Sequence, residues 1–249
     1  MTRAGLIRLA LILGALALLE WACRYGFVSR EAVIPPTVML QGAWRALASE
    51  ETRGEILWTL QNVALSLVLS LIVGSGAGLL LHKATRLRRA LDPLLASYYA
   101  VPTFVFYPLF IVLFGLGRGA IVAIGFLFGV VAMIIATLNG FDRIPRVLLR
   151  TAKVHHMSPA ATALLIKLPS AVPYLFTGIK LAIAYCFIGV IAAEFIMASS
   201  GLGYAISYAF NNFDNGTMYA LMLFVIVLVT IVNALFYSYE RRLLRRWGR

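Results

Sequence analysis

Charge is scarce in this sequence of 249 residues: 13% are Asp, Glu, Lys or Arg, and ten of these are acids, where a water-soluble domain carries about a quarter charged residues. With 61% hydrophobic residues, that scarcity excludes a soluble enzyme or a disordered chain and points to a polytopic membrane protein. Cysteine is nearly absent as well. Cys23 and Cys186 are too few for a disulfide framework or a metal cluster. Of three histidines, His155 and His156 are adjacent and would point about 100° apart on a helix, without the spacing of a metal-binding pair, while His82 stands alone at a membrane edge. No Gly-x-x-x-x-Gly-Lys-Ser/Thr loop is present to cradle nucleotide phosphates. No nucleophile, base and orienting group can be assembled either. We therefore expect no catalytic residue, no metal site and no cofactor bound by this chain.

Long apolar runs are what the sequence has. A helix needs about 20 mostly apolar residues to cross a hydrocarbon core roughly 30 Å thick. Six stretches qualify, near residues 6–23, 56–81, 94–115, 120–138, 171–197 and 218–237. They are too long and too uniform for barrel strands, so the expected class is all-α with six transmembrane helices. Sixteen of the 22 basic residues fall on one side of the alternating crossings: Arg3 and Arg8, the cluster from Lys83 to Arg89, the cluster from Arg143 to Lys167, and the tail from Arg241. Arg24, Arg30, Arg45, Arg53 and Arg118 fall on the other, and Lys180 lies within a span. That bias places both termini in the cytoplasm and makes the net charge of +12 a topology signal. No nucleic-acid partner is needed to explain it. The first run reads as a span rather than a signal peptide, because Glu20 and Trp21 before Cys23 are poor residues for a cleavage site.

Along the chain we expect an N-terminal transmembrane helix at 1–28, an external amphipathic connector at 29–55, a membrane core at 56–240 with a cytoplasmic loop at 140–170, and a basic cytoplasmic tail at 241–249. Gly74, Gly76 and Gly78 suit close helix packing. Pro102 and Pro108 remove backbone donors within the third run and mark a candidate pathway-lining helix, crowded by Tyr98, Tyr99, Phe104, Phe106 and Tyr107. Such rings suit a planar or partly apolar solute, and with Lys180 they suggest a small organic anion. In the cytoplasmic loop Pro145 and Pro159 suit helix starts, and Ser158 before Pro159 is a good cap. Two short helices with a turn between them, then Pro169 opening the fifth span, form a basic element shaped to dock onto another protein.

Ionisable residues inside spans are functional candidates because burying charge in hydrocarbon is costly. Lys180 and Glu194 lie 14 positions apart, about 21 Å along a helix, so they cannot pair with each other. Lys180 is placed to snorkel or to attract an anion, and Glu194 to brace the Gly201-Leu-Gly203 segment near the external end. That segment is a plain turn or a gate; glycine alone does not separate the two.

In order and spacing, several pieces of the chain resemble the integral membrane subunit of binding-protein-dependent ABC importers, in the nitrate, sulfonate and taurine permease group. They are the run from Arg86 to Leu95, Val101-Pro102, Tyr107-Pro108, Phe114-Gly-Leu-Gly117, Ile144-Pro145, Leu168-Pro169, the run from Tyr174 to Lys180, Ala193-Glu194-Phe195, Ser200-Gly-Leu-Gly-Tyr204 and Asn212-Phe-Asp214. The resemblance covers roughly residues 35–247. It implies a type I importer permease in the bacterial inner membrane, working by alternating access. It also implies a second permease subunit, with a homodimer the commoner arrangement, two cytoplasmic ATPase subunits that use ATP and Mg, an extracytoplasmic substrate-binding protein, and membrane lipid around the spans.

The cytoplasmic loop resembles the family's Glu-Ala-Ala loop, which supplies the coupling helix. Its glutamate aligns with Arg150, its alanines with Thr151 and Ala152, and its glycine with His156; Ala152, Leu168 and Pro169 match. The implied ATPase-coupling residues are Arg150, Thr151, Ala152, Lys153, His155, His156, Met157, Ser158, Pro159, Leu168 and Pro169. The candidate pathway or gate residues, from the prolines, aromatics, intramembrane charges and glycine turn above, are Tyr99, Pro102, Phe106, Tyr107, Lys180, Glu194, Gly201 and Gly203. Arg150 reverses the charge of the pattern's carboxylate, and His156 puts a side chain where a left-handed turn favours glycine. The alternative reading is a membrane enzyme or scaffold without transport.

Overall fold

The structure, a computed structural model, describes residues 3–27 and 33–246. These form eleven α-helices: α1 (Arg3–Arg24), α2 (Pro36–Ala48), α3 (Glu50–Lys83), α4 (Thr85–Ser97), α5 (Tyr107–Phe114), α6 (Arg118–Asp142), α7 (Arg146–Val154), α8 (Pro159–Thr162), α9 (Leu168–Met197), α10 (Leu202–Asn211) and α11 (Asn215–Arg246). No strand occurs among the described residues, as the unbroken apolar runs require. Four helical stretches there are long and apolar enough to cross a membrane: Glu50–Lys83, Arg118–Asp142, Pro159–Met197 and Asn215–Leu243. The 22-residue α1 covers the first expected span, and several of its apolar side chains are exposed, Leu11 and Leu18 among them, while Cys23 is buried.

The third expected span is not one helix. After α4 the chain makes two 3₁₀ turns, Tyr98–Ala100 and Thr103–Phe106, before α5 begins. Pro102 is the physical cause: it has no N–H to donate and pushes Val101 to extended backbone, at φ −80° and ψ 123°. The fifth span also differs from expectation. Helix α8 runs through a π turn at Ala163–Lys167 straight into α9, so Pro169 lies inside a continuous helical stretch and does not open it. The connector is shorter than expected as well, since α3 begins at Glu50, where the Ser49 side chain accepts from the Thr52 N–H.

The core is the packing of α3, α6 and α9, and small residues allow it. A Cβ on Gly74 would meet Met133 Cβ at 2.7 Å, and one on Gly78 would meet Thr137 Cβ at 2.6 Å. One on Gly129 would meet Cys186 Sγ at 2.6 Å and Ser70 Oγ at 2.7 Å. Lipid tails are as apolar as leucine, so these helices associate by close contact and by hydrogen bonds between them. Ser66 Oγ donates to Val122 O at 3.1 Å, and Ser70 Oγ lies 3.2 Å from Phe126 O. Helix α1 is tied to α2 by Glu20, which accepts from the Thr37 N–H at 3.0 Å and from Thr37 Oγ1 at 2.8 Å.

Candidate functional site

The two ends of this bundle carry different constellations. At the end that the charge bias assigns to the outside, α9 stops at Met197, and a short turn leads into α10 at Leu202. Gly201 adopts φ +107°, in the region that favours glycine, and both Gly201 and Gly203 are buried. A Cβ on Gly203 would strike Ile191 O and stand 2.8 Å from Phe195 N, so the turn lies directly against the last coil of α9.

Three successive N–H groups at the start of α10 are taken by side chains. Gly201 N donates to Glu55 Oε2, Leu202 N to Thr59 Oγ1 at 2.8 Å, and Gly203 N to Glu194 Oε2 at 3.2 Å. Thr59 Oγ1 donates in turn to Glu194 Oε2 at 2.7 Å, and Asn62 Nδ2 to Glu194 Oε1 at 3.1 Å. Thr59, Asn62 and Glu194 have no solvent exposure. Arg118 Nε donates to Asn62 Oδ1 at 3.0 Å, which orients the amide with its NH₂ toward the glutamate, and Arg118 Nη2 donates to Gln61 Oε1 at 2.9 Å. This network joins α3, the start of α6, α9 and α10, with Glu194 at its centre.

Of the expected gate residues, the structure brings Glu194, Gly201 and Gly203 together and leaves the others apart. Lys180 Nζ lies 2.7 Å from Glu240 Oε2 and 5.6 Å from the Tyr237 ring centre, so its charge is met by α11. Pro102, Phe106 and Tyr107 sit at the break between α4 and α5, with Phe106 and Tyr107 both partly exposed. The Tyr99 side chain lies outside those described. Two aromatics of that crowd anchor the break instead: Tyr98 OH donates to Leu127 O at 2.7 Å, and the Phe104 and Phe128 ring centres are 5.1 Å apart.

At the opposite end, α7 is an amphipathic helix with Ala152 buried and Val147, Arg150, Thr151, Lys153 and Val154 exposed. It closes in a Schellman motif: the Met157 N–H donates to Ala152 O at 3.0 Å, the His156 N–H to Lys153 O at 3.1 Å, and His156 takes φ +47°. His156 therefore does hold the left-handed position that glycine usually fills. Ser158 caps α8, its Oγ accepting from the Ala161 N–H at 3.1 Å, with Pro159 in the first turn. His155, His156, Ser158 and Pro159 are exposed and Met157 is half-buried, so residues 150–159 form one accessible surface. Leu168 and Pro169 lie farther along, past the π turn.

Asp142 at the end of α6 holds this element to its neighbours. Its carboxylate accepts from Arg88 Nη1 at 2.9 Å and pairs with Arg88 Nη2 at 2.6 Å, and His82 Nδ1 lies 3.0 Å from Oδ1. Three segments thus meet four residues before α7. The bidentate pair raises the already high pKa of Arg88, chiefly through its hydrogen bond to Asp142.

Sequence reasoning missed Glu55, Thr59, Asn62, Arg118, Asp142 and Glu240. For two of them a signal exists. Thr59, Asn62, Ser66 and Ser70 recur at spacings of three and four within an apolar run, which puts a polar stripe on one helical face, and all four are fully buried.

Comparison with known proteins adds the family. The profile described as "Binding-protein-dependent transport system inner membrane component" matches residues 66–248. Over 213 residues the chain is 28% identical to the nitrate import permease protein NrtB of Leptolyngbya laminosa, covering 82% of this chain and 76% of that protein. It is 32% identical over 164 residues to the bicarbonate transport system permease protein CmpB of a Synechocystis strain, covering 66% of this chain and 55% of that protein. Among solved structures, inward-facing MetNI, a methionine ABC transporter, aligns with a TM-score of 0.64 at 20% identity, covering 79% of this chain and 95% of that one. At that identity the likeness is one of fold.

Proposed function

This chain belongs to the binding-protein-dependent transport system inner membrane components, as a multi-pass ABC importer permease of the type I fold, and from that premise we propose that it carries a small anion into the cytoplasm by ATP-driven alternating access. A substrate-binding protein delivers the anion to the external face. Two ATPase subunits, using ATP and Mg, drive the cycle from the cytoplasmic face, and a second copy of this chain completes the pathway.

The observation that carries this reading is the separation of the two constellations by the α3–α6–α9 core. One is an exposed basic helix and turn at residues 146–159, available to an ATPase groove; the other is a glycine turn held by the buried Glu194 and the half-buried Glu55 at the outer end. In the proposed cycle the first receives motion when the ATPases close. The second is the part of the pathway wall that yields, with Glu194 and Glu55 setting its resting position. The nitrate and bicarbonate named for the relatives support a small anion as the solute.

Reconstitution in vesicles tests the reading. The chain, its neighbouring ATPase and its binding protein are expected to hydrolyse ATP faster when the loaded binding protein is added, and to accumulate labelled nitrate, bicarbonate or a small organic acid. Hydrolysis that ignores the binding protein, with no uptake, overturns it. Failure of tagged and untagged copies to co-purify overturns the homodimer.

A further inference from the structure

Between Asp142 and Glu194 the chain has no acid, and Asp142 is already taken by Arg88 and His82. Arg146, Arg150 and Lys153 of α7 lie in that stretch, and none of them forms an ion pair with a described residue. Charge bias explains why these cations lie on the cytoplasmic side. It does not explain how they are arranged on the helix. At about 100° per residue, Leu148, Leu149 and Ala152 share one side of α7, where Ala152 is buried and the two leucines are half-buried. Val147, Arg150, Thr151 and Val154 share the opposite side, and Val147 and Val154 are 70% and 74% exposed. The Thr151 hydroxyl donates to Val147 O at 3.1 Å, within its own helix. Arg150 is therefore the one side chain of this face whose hydrogen-bonding group is left free, and it stands between two apolar ones.

That order separates α7 from a helix that rests on lipid. A basic membrane-surface helix sinks its apolar face into the headgroup boundary and keeps its polar face in water. In α7 the face around Ala152 is covered by the chain itself, and the two valines stand on the opposite, exposed side. Anchors spaced at i, i+3, i+4 and i+7 are the pattern by which a helix fits a groove on another protein. A guanidinium between such anchors needs an anionic acceptor once the groove closes over it, because a buried charge left unpaired is strongly destabilising. The planar fork of arginine matches a carboxylate through two parallel hydrogen bonds.

We propose that α7 enters a groove of the ATPase subunit whose walls are apolar against Val147 and Val154 and whose floor carries an Asp or Glu that pairs with Arg150. The inference rests on the permease reading of this surface and adds the chemistry of the partner. A groove with a cation at that point is repelled by Arg150, so the same contact decides which ATPase this chain accepts.

Binding of the ATPase to the full chain in phosphatidylcholine nanodiscs tests the pairing. Arg150→Glu is expected to weaken binding about tenfold or more at low salt, with the deficit shrinking as salt is raised. Arg86→Glu, the same charge change on an exposed residue of α4, is expected to alter binding by less than about twofold. In Arg150→Lys, which puts an amine at the position, a carbodiimide is expected to link residue 150 to an Asp or Glu of the ATPase. Equal losses from Arg150→Glu and Arg86→Glu mean that only bulk charge is felt and overturn the pairing, as does a complex that forms without the link. An effect of Arg150→Glu that appears only in nanodiscs containing phosphatidylglycerol assigns the cation to lipid headgroups and overturns it as well. Wild-type binding that is indifferent to Arg150 loses the groove carboxylate and keeps the permease reading, whereas a wild-type chain that binds no ATPase loses both.

Discussion

Thr59 Oγ1 donates to Glu194 Oε2 at 2.7 Å across 135 positions of sequence, with both residues sealed from solvent. The same hydroxyl accepts the Leu202 N–H, so one threonine links α3, α9 and the first turn of α10. Thr59→Val removes both bonds while keeping the shape. We expect it to destabilise the protein by about 1–3 kcal/mol, because a buried carboxylate and a buried N–H each lose a partner. Thr59→Ser, which keeps the hydroxyl, should recover most of that loss. Thermal unfolding in detergent distinguishes them, and equal midpoints for the two variants would remove the link.

Glycine at 203 is required by contact, and glycine at 76 is not. A methyl group on Gly203 would run into backbone of α9 that cannot move aside, whereas one on Gly76 meets nothing within 4 Å. Gly203→Ala should cost about 1–3 kcal/mol and reduce uptake. Gly76→Ala should be neutral or stabilising by up to about 1 kcal/mol, because alanine is the better helix former. Unfolding midpoints measured side by side check the contrast.

His156→Gly is expected to stabilise the isolated chain. Histidine at φ +47° carries a left-handed penalty of about 1–2 kcal/mol, partly offset by the extra freedom glycine has when unfolded, for a net gain of about 0.5 kcal/mol. A lower unfolding midpoint would show that the imidazole makes a compensating contact.

Arg88 and Asp142 form the bidentate pair that ties α4 to the end of α6, just before the exposed α7. In the assembled importer Asp142→Asn should lower uptake more than ATP hydrolysis. Exchanging the two charges, Arg88→Asp with Asp142→Arg, should restore part of the loss. Parallel loss of both activities, with no recovery in the exchange, would mean that the pair only supports folding.

Asp214 caps α11, and its carboxyl is held below the usual carboxylate range by hydrogen bonds from the Thr217 hydroxyl and the Thr217 N–H, the latter at 3.0 Å. A depressed folded-state pKa contributes stability that is present above the unfolded value of about 3.9 and is lost as pH falls through the folded value. At neutral pH Asp214→Ala should therefore cost about 0.5 kcal/mol, the lower end of the capping range for so exposed a site. The gap in midpoint between wild type and variant should narrow as pH is lowered from about 5 toward 3. A gap that stays constant with pH would show that the charge plays no part.

Local features of the sequence were legible where one segment contains the whole cause. The apolar runs fix the helices, Ser158-Pro159 fixes the start of α8, and the turn at His156 follows from chain geometry within six residues. Pro102 was readable as a disturbance, but not as a full stop followed by two 3₁₀ turns, because a proline kinks or ends a helix according to what surrounds it. Glu194 stood out as an acid inside an apolar run, yet its partners did not. Thr59 and Asn62 lie more than 130 positions away, and nothing local to either says which buried donor the carboxylate will find. Lys180 shows the same limit, since its partner Glu240 looks from the sequence like the start of a solvated tail.

By itself the sequence determined a helical membrane protein, its orientation and the chemistry available at each end, because hydrophobic length, charge bias and capping act over one or two helical turns. Only the tertiary structure decided which polar groups meet, that Lys180 is paired with Glu240 of α11, and that the buried Trp58 Nε1 has no hydrogen-bond partner among the described residues. Hydrogen bonds and ion pairs are short and directional, so their partners are set by how distant helices pack.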